Sequence, residues 1–414
     1  MMDKTARDAL IIDGVRSPRG RGKVTGALHQ IHPQELLGQV LTSLIARVGI
    51  DAADVEDVIA GNGNSVGEHG SDIARLAVLA AGLPFSLPGT TLNRFCGSGQ
   101  QAVTFAASSI RAGQQEVVIG SGVESMSRWP VTEDVITIDG DNAQLRDRYP
   151  IVPQGISADL IATLDGFSRE DVDGFARQSQ ERCAKAVSEG RFDGSVVPIY
   201  HLDGELALDH DEHPRPSTTV EALGKLSPSF LELGTTVLPR FDRSFDDMCR
   251  EVYPQVSEIH HVHHAGNSSG VVDGASAILL TSPDYAKAHG LRVRARIVQT
   301  AVAGTEPVIM LTAPGPAAQL CLRKAGMSVS DVDLWEINEA FAAVPLKTIR
   351  DLNLDPEKVN VNGGAIALGH PIGATGPMLI QTALDELERT DGSTALITMC
   401  TGGGMGTATI IERL

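Results

Sequence analysis

Aromatic residues are scarce in this 414-residue chain, 4% of the total, and there are only five cysteines. Its cores must therefore be built from small and branched aliphatic side chains, as suits layered α/β architecture. Cys96, Cys183, Cys249, Cys321 and Cys400 form no CxxC pair and are odd in number, which excludes a disulfide framework and points to free thiols in a reducing compartment. Basic residues are also short: 34 Lys and Arg face 52 Asp and Glu, a net charge of −18, which argues against nonspecific nucleic-acid or anionic-membrane binding. No apolar run approaches the roughly 20 residues of a membrane span. The N-terminal MMDKTARDALIIDG holds a run too short for a signal sequence, and the final IIERL is no SKL-type address. A cytoplasmic protein is expected.

What is present is glycine, 43 residues of it, in an ordinary background of 42% hydrophobic and 21% charged residues. The length exceeds what one hydrophobic core usually supports, so two or three domains are expected. An internal repeat organises them. ARVGIDAADVEDV around Gly49 resembles RKAGMSVSDVDLW around Gly326, an offset of 277 that recurs between Asp54 and Asp331 and between Gly99 and Gly376. In each half, strand-length apolar runs (VEDVIAG, EVVIGSG; VDLWEIN, TALITM) alternate with helical patterns such as PQELLGQVLTSLIARVG and GPMLIQTALDELER. The pattern predicts two mixed-sheet halves with helices on both faces. From Met126 to Val271 the repeat is absent and Asp, Pro and His are frequent, which reads as a long insertion. It contains a helix starting at Ser168 and ending near Gly190, and loop such as LDHDEHPRPSTT lying over a site.

Three residues carry the candidate chemistry: Cys96 in NRFCGSGQQ, Cys400 in MCTGGGMG and His370 in GGAIALGHPIGATG. A thiol is a nucleophile only as thiolate, and a helix N-terminus is one environment that lowers its pKa. Cys96, at the head of a helix-like stretch, is expected to benefit. Glycines around both cysteines let backbone N–H groups approach a reactant.

These motifs, with WEINEAFA around Asn338 and AGNSSGVVDGA at Ala265 to Ala275, resemble the thiolases over nearly the whole chain. The resemblance implies an αβαβα five-layer sandwich of duplicated halves with an inserted loop domain. The first half spans 1–125 with 272–291, the loop domain 126–271, and the second half 292–414. It implies Cys96 as the acyl-carrying nucleophile, Cys400 as the acid that protonates the enolate, and His370 as the base toward CoA. His370 and a water held by Asn338 are implied to hold the enolate oxygen, and the backbone N–H groups of Cys96 and Gly402 the tetrahedral oxyanion. CoA contacts map to Ser269, Ala340, Phe341 and, by a looser alignment, Arg215. CoA is then a substrate and no cofactor is needed. His264 departs from the family's usual threonine and puts the pocket's shape in question. A ketosynthase would carry two histidines where this chain has His370 and Cys400.

The remaining candidates read as structural. Cys183, Cys249 and Cys321 sit outside any motif and are expected in the core. His260, His261, His263 and His264 lack companion Cys or carboxylate spacing, so no metal site is expected, but a strand or loop feeding the active site. GNGNSVGEHG near Gly61 lacks the Lys of a P-loop and reads as a turn or dimer-contact segment. QGISADLIA at Gln154 and HHVHHAGNSSG at His260 look like thiolase subunits of fatty-acid oxidation complexes, implying a homodimer or tetramer with a possible hydratase/dehydrogenase partner subunit. Two other readings are a short-chain acetoacetyl-CoA enzyme and a noncatalytic acyl-CoA-binding subunit.

Overall fold

The computed structural model describes residues 8–128, 138–140, 142–238 and 241–414. The strands are β1 Leu10–Arg16, β2 Gly20–Arg21, β3 Asp57–Gly61, β4 Gly89–Leu92, β5 Val117–Ser125, β6 Ile199–Tyr200, β7 Leu206–Leu208, β8 Val272–Thr281, β9 Ala295–Gly304, β10 Leu334–Ile337, β11 Thr394–Thr401 and β12 Met405–Arg413.

The duplication is written in their order. The first half runs β4-β3-β5-β8-β1, and the second β10-β11-β12-β9, with Val359 bridging in parallel to Trp335 where the counterpart of β4 would lie. Strand senses match: β3 is parallel to β5 as β10 is to β11, and β5 is antiparallel to β8 as β11 is to β12. The offset of 277 is kept where β3 (Asp57) meets β10 (Leu334), where the helices starting at Ser98 and Thr375 correspond, and where β5 (Val117) meets β11 (Thr394). The two mixed-sheet halves expected from the sequence are present, and they are continuous. β1 pairs with β9 at Leu10–Arg296 and Ile11–Ala295, joining the halves into one ten-stranded sheet.

Helices Ser98–Arg111 and Thr375–Thr390 pack on each other and on strands of both halves, forming the middle layer. Their N-termini meet too closely for side chains: a Cβ on Gly99 would lie 2.3 Å from the Gly373 carbonyl oxygen, and one on Gly376 2.1 Å from the Gln100 nitrogen. Helices Pro33–Val48 and Ile73–Ala80 cover the outside of the first half. The first of these shows the local logic. His32 Nδ1 accepts from the Gln34 N–H at its start, Leu36, Leu37, Val40, Leu41, Leu44 and Ile45 are buried, and Gly49 at φ 77° ends it in the left-handed region where only glycine is at ease. Truncating one such buried leucine costs about 2–5 kcal/mol in general. Helices Pro314–Ala325 and Ala343–Leu352 follow in the second half.

Since β5 ends at Ser125 and β8 begins at Val272, the described residues between them add no strand to the large sheet. They form the β6–β7 ribbon and several helices, among them Gln154–Asp165, Arg169–Ser188 and Phe245–Val252. The helix expected from Ser168 is present, closed by a capping box between Ser168 and Asp171.

Candidate active site

Cys96 sits on a tight turn between β4 and the middle-layer helix. Asn93 Oδ1 accepts from the Phe95 N–H (2.7 Å), and Ser98 Oγ accepts from the Arg94 N–H (2.8 Å) while donating to the Phe95 carbonyl (2.6 Å). The turn forces Phe95 to φ 48°. A bulky side chain in that region costs about 1–3 kcal/mol and is tolerated only where neighbouring bonds over-determine it.

The electrostatic expectation for Cys96 is overturned. Burial is the largest effect and pushes the thiol up to about 11; bonds from the Gln154 side chain and from the N–H groups of Cys96 and Gly402 oppose it without prevailing, and the Glu124 charge pushes it higher. The residue is 5% exposed, and desolvation of a sulfur anion outweighs what the helix N-terminus offers. Cys96 therefore rests as a neutral thiol at pH 7. Cys400, at the end of β11 and fully buried, is driven up as well, first by burial and then by the neighbouring Cys96. Gly402 is walled by Phe95 and Ile138, whose side chains stand 3.2 and 3.3 Å from where its Cβ would be.

His370 is set in a single tautomer by its neighbours. Thr375 Oγ1 donates to the Pro371 carbonyl (2.8 Å), so at 2.6 Å it must accept from His370 Nδ1–H. Nε2 then carries the lone pair, approached by Asn338 Nδ2 at 3.4 Å. Burial foremost, and then the charge of Arg19, lower the imidazole to about 4, so it is neutral at pH 7. Asn338, 1% exposed, follows β10 and keeps Oδ1 without a protein partner.

Glu124 binds the two halves together beside this site. Its Oε2 accepts from the N–H of Gly63 (2.8 Å) and of Gly373 (2.9 Å), which places the GNGNSVGEHG segment as the turn that braces Glu124. Burial raises its carboxyl to about 7 against those bonds. A carboxyl raised from its ordinary value of 4.5 is protonated more in the folded than in the unfolded state between about pH 4.5 and 7, so its contribution to stability is full below that window and lost across it. Glu124→Gln removes the titration. The stability of the variant relative to wild type should rise by up to about 3 kcal/mol from pH 4.5 to 7.5, measured by denaturant unfolding at each pH; a constant difference would show that Glu124 does not titrate there.

Of the residues implied for CoA, three are assembled. The Ser269 N–H donates to the Ala340 carbonyl (2.9 Å), Ser268 bridges Phe341, and Phe341 packs edge-on to Phe230 and His263. Arg215 is exposed, its N–H held by Gln180 Oε1 at 2.8 Å. The histidine cluster forms a loop, and three of its rings bond carboxylates. His261 and His263 bond Asp159 (2.8 and 2.7 Å), His261 also reaches Asp246 (3.1 Å), and His264 bonds Asp173 (2.8 Å). Burial works against charge on His261, yet the two aspartates raise it to about 9. His263 Nε2 accepts from the Ala343 N–H, clamping the Asn338–Phe341 segment. Among the described residues no group of three or more His, Cys, Asp or Glu could hold a metal ion. His264, flagged as altering the pocket, has its ring engaged by Asp173 and the Gly266 N–H.

Thr375, Glu124 and Gln154 touch the site and were not among the residues singled out for it. Thr375 lies in the same motif as His370, five residues on, and that spacing was the available signal; nothing local marks Glu124. Cys183, Cys249 and Cys321 are buried and unpaired.

Two like halves on one sheet, with two neighbouring buried thiols near the start of a middle helix, define a duplicated α/β protein with a thiol-bearing site. Family models describe the same chain: the thiolase N-terminal domain matches residues 9–240 and the thiolase C-terminal domain residues 291–413. The chain belongs to the thiolase family. It is 41% identical to the 3-oxoadipyl-CoA/3-oxo-5,6-dehydrosuberyl-CoA thiolase of Escherichia coli, over 99% of this chain and 100% of that protein. It is 39% identical to the steroid 3-ketoacyl-CoA thiolase FadA6 of Mycobacterium tuberculosis, over 98% and 94%. The crystal structure of the Bacillus anthracis acetyl-CoA acetyltransferase superposes with a TM-score of 0.84 at 35% identity, covering 100% of both chains. Human mitochondrial 3-ketoacyl-CoA thiolase gives 0.83 at 34%, covering 99% of this chain and 100% of that one. Among the described residues no helix is long and apolar enough to cross a membrane.

Proposed function

We propose that the protein is a 3-oxoacyl-CoA thiolase of fatty-acid β-oxidation, cleaving its substrate with CoA to acetyl-CoA and a shortened acyl-CoA through an acyl-Cys96 intermediate. His370 Nε2 takes the Cys96 proton as the sulfur attacks C3. The oxyanion forms against the N–H groups of Cys96 and Gly402. The C2–C3 bond breaks, the enolate oxygen is held by His370 and a water on Asn338, and Cys400 protonates C2, recovering its own proton from His370. CoA then gives its thiol proton to His370 and attacks the thioester, and the proton returns to Cys96 as the acyl-CoA leaves. CoA is a substrate here and no cofactor takes part. The observation that carries this reading is His370 with its Nδ1–H tied to Thr375, which leaves Nε2 unprotonated beside Asn338.

An uncharged acyl chain is favoured by apolar walls: Phe95 and Ile138 at Gly402, and Phe230, which covers Gly155 and packs edge-on to Phe341 beside the Gln154 contact to Cys96. A second reading, a 3-oxoadipyl-CoA thiolase, is favoured by the relatives that carry that name. Measuring kcat/KM for thiolysis across 3-oxoacyl-CoA from C4 to C16, with 3-oxoadipyl-CoA alongside, decides. We expect medium chains to exceed 3-oxoadipyl-CoA by about 10-fold or more, the scale set by burying a carboxylate against apolar walls. A sharp C4 optimum would instead make it an acetoacetyl-CoA enzyme.

The five unpaired thiols support a reducing, cytoplasmic setting. β4 is an edge strand of the large sheet and Phe85 beside it is 87% exposed, which supports self-association as a homodimer or tetramer; a hydratase/dehydrogenase partner is compatible with either.

A further inference from the structure

The helix that starts behind Cys96 sends a polar side chain, Gln100, across into the second half. Gln100 and Thr409 have no exposed surface and Thr407 almost none. A carbonyl can only accept, so the Ile397 oxygen at 3.0 Å fixes which end of the Gln100 amide is Nε2, and Nε2 also donates to Thr409 Oγ1 at 2.9 Å. Oε1 then accepts from Thr407 Oγ1 at 2.6 Å. Ile397 and Thr409 face each other across β11 and β12, and Thr407 lies opposite Met399, the residue before Cys400. One side chain of the first half is thus bonded to both strands that flank the turn after Cys400. Nearer the thiols, a Cβ on Gly97 would stand 2.6 Å from Thr401 Cγ2 and 3.0 Å from Thr407 Cγ2, so the Cys96 turn rests on the same two strands. The alignment of Cys96 with His370 is built differently. The loop after His370 meets this helix backbone to backbone, Gly99 against the Gly373 carbonyl and Gly376 against the Gln100 nitrogen, without use of the Gln100 amide. The matching position in the other middle helix, at the repeat offset of 277, is Pro377, which has no polar group to make such a tie.

We propose that Gln100 is a positioning residue that sets Cys96 against Cys400, while the glycine contacts set Cys96 against His370. The inference rests on the roles given to these three groups above. Thiolysis needs all of them, because the enolate released when C2–C3 breaks takes its proton from Cys400. Exchange of labelled CoA into acetyl-CoA needs only two. The Cys96 sulfur takes the acetyl group as its proton passes to His370, unlabelled CoA leaves with that proton, and labelled CoA returns by the reverse steps; no carbon–carbon bond breaks and no enolate forms. Loss of the Gln100 tie should therefore separate the two reactions.

The test measures kcat for thiolysis of 3-oxoacyl-CoA and the rate of acetyl-CoA/CoA exchange, at saturating substrate and on the same preparations, for wild type, Gln100→Leu, Thr407→Val and Cys400→Ala. Since a misplacement of about 1 Å can cost about 10²-fold, Gln100→Leu should lose about 10-fold in thiolysis with exchange within about 2-fold of wild type. Thr407→Val is nearly isosteric, keeps Cγ2 against Gly97 and removes one of the three bonds, so about 3-fold in thiolysis is expected, again with exchange spared. Cys400→Ala should show the same split in stronger form. A purely structural Gln100 would lower both reactions alike by reducing the folded fraction. Equal losses in the two reactions, or wild-type thiolysis in both variants, overturn the proposal; if Gln100→Leu does not fold, the split or its absence in Thr407→Val decides. Failure of the underlying reading looks different: thiolysis retained by Cys400→Ala, or a wild type that exchanges CoA without cleaving any 3-oxoacyl-CoA.

Discussion

Cys96→Ala should lower thiolysis of 3-oxoacyl-CoA by about 10⁴-fold or more, the scale seen when a covalent nucleophile is removed from a set of groups that act as a unit. The substitution deletes one sulfur on a turn already shaped by Asn93, Phe95 and Ser98, so folding and CoA binding should persist. Rapid-quench trapping should find an acyl-enzyme in wild type and none in the variant. Because burial raises the thiol to about 11, free Cys96 should also react slowly with alkylating agents at pH 7 and faster as pH rises. Retention of thiolysis within 10-fold of wild type would reject Cys96 as the acyl carrier.

His370→Ala should cost about 10³-fold in kcat, within the range of a general base. Thr375→Val grades the same argument. It leaves the imidazole in place but removes the acceptor that holds the proton on Nδ1, and the tautomer with Nε2 protonated becomes accessible. A loss of about 10-fold in kcat with little change in KM for CoA is expected, by analogy with other groups that orient a functional histidine. Equal losses in both variants would mean that Thr375 supports the fold rather than the tautomer.

Much of this molecule was legible before any coordinate. The helix Pro33–Val48 is announced by its apolar spacing and closing glycine, and the strand runs VEDVIAG and TALITM became β3 and β11 because alternation and flanking turns are local properties. The repeat was readable because duplicated halves keep similar residues at equal spacing. That β1 would pair with β9 was not, since a two-residue pairing between halves leaves no pattern along the chain.

The amino-acid order by itself determined the duplicated α/β pattern and set Cys96, His370 and Cys400 in glycine-rich motifs, since both follow from neighbours a few residues apart. Only the packed structure decided their state. Cys96 heads a helix, as its motif promised, yet its thiol is raised rather than lowered because residues far along the chain exclude water from it. His370 is lowered in the same way, first by burial and then by the charge of Arg19, some 350 residues earlier in the chain. Desolvation depends on everything that surrounds a group, and no local window contains that information.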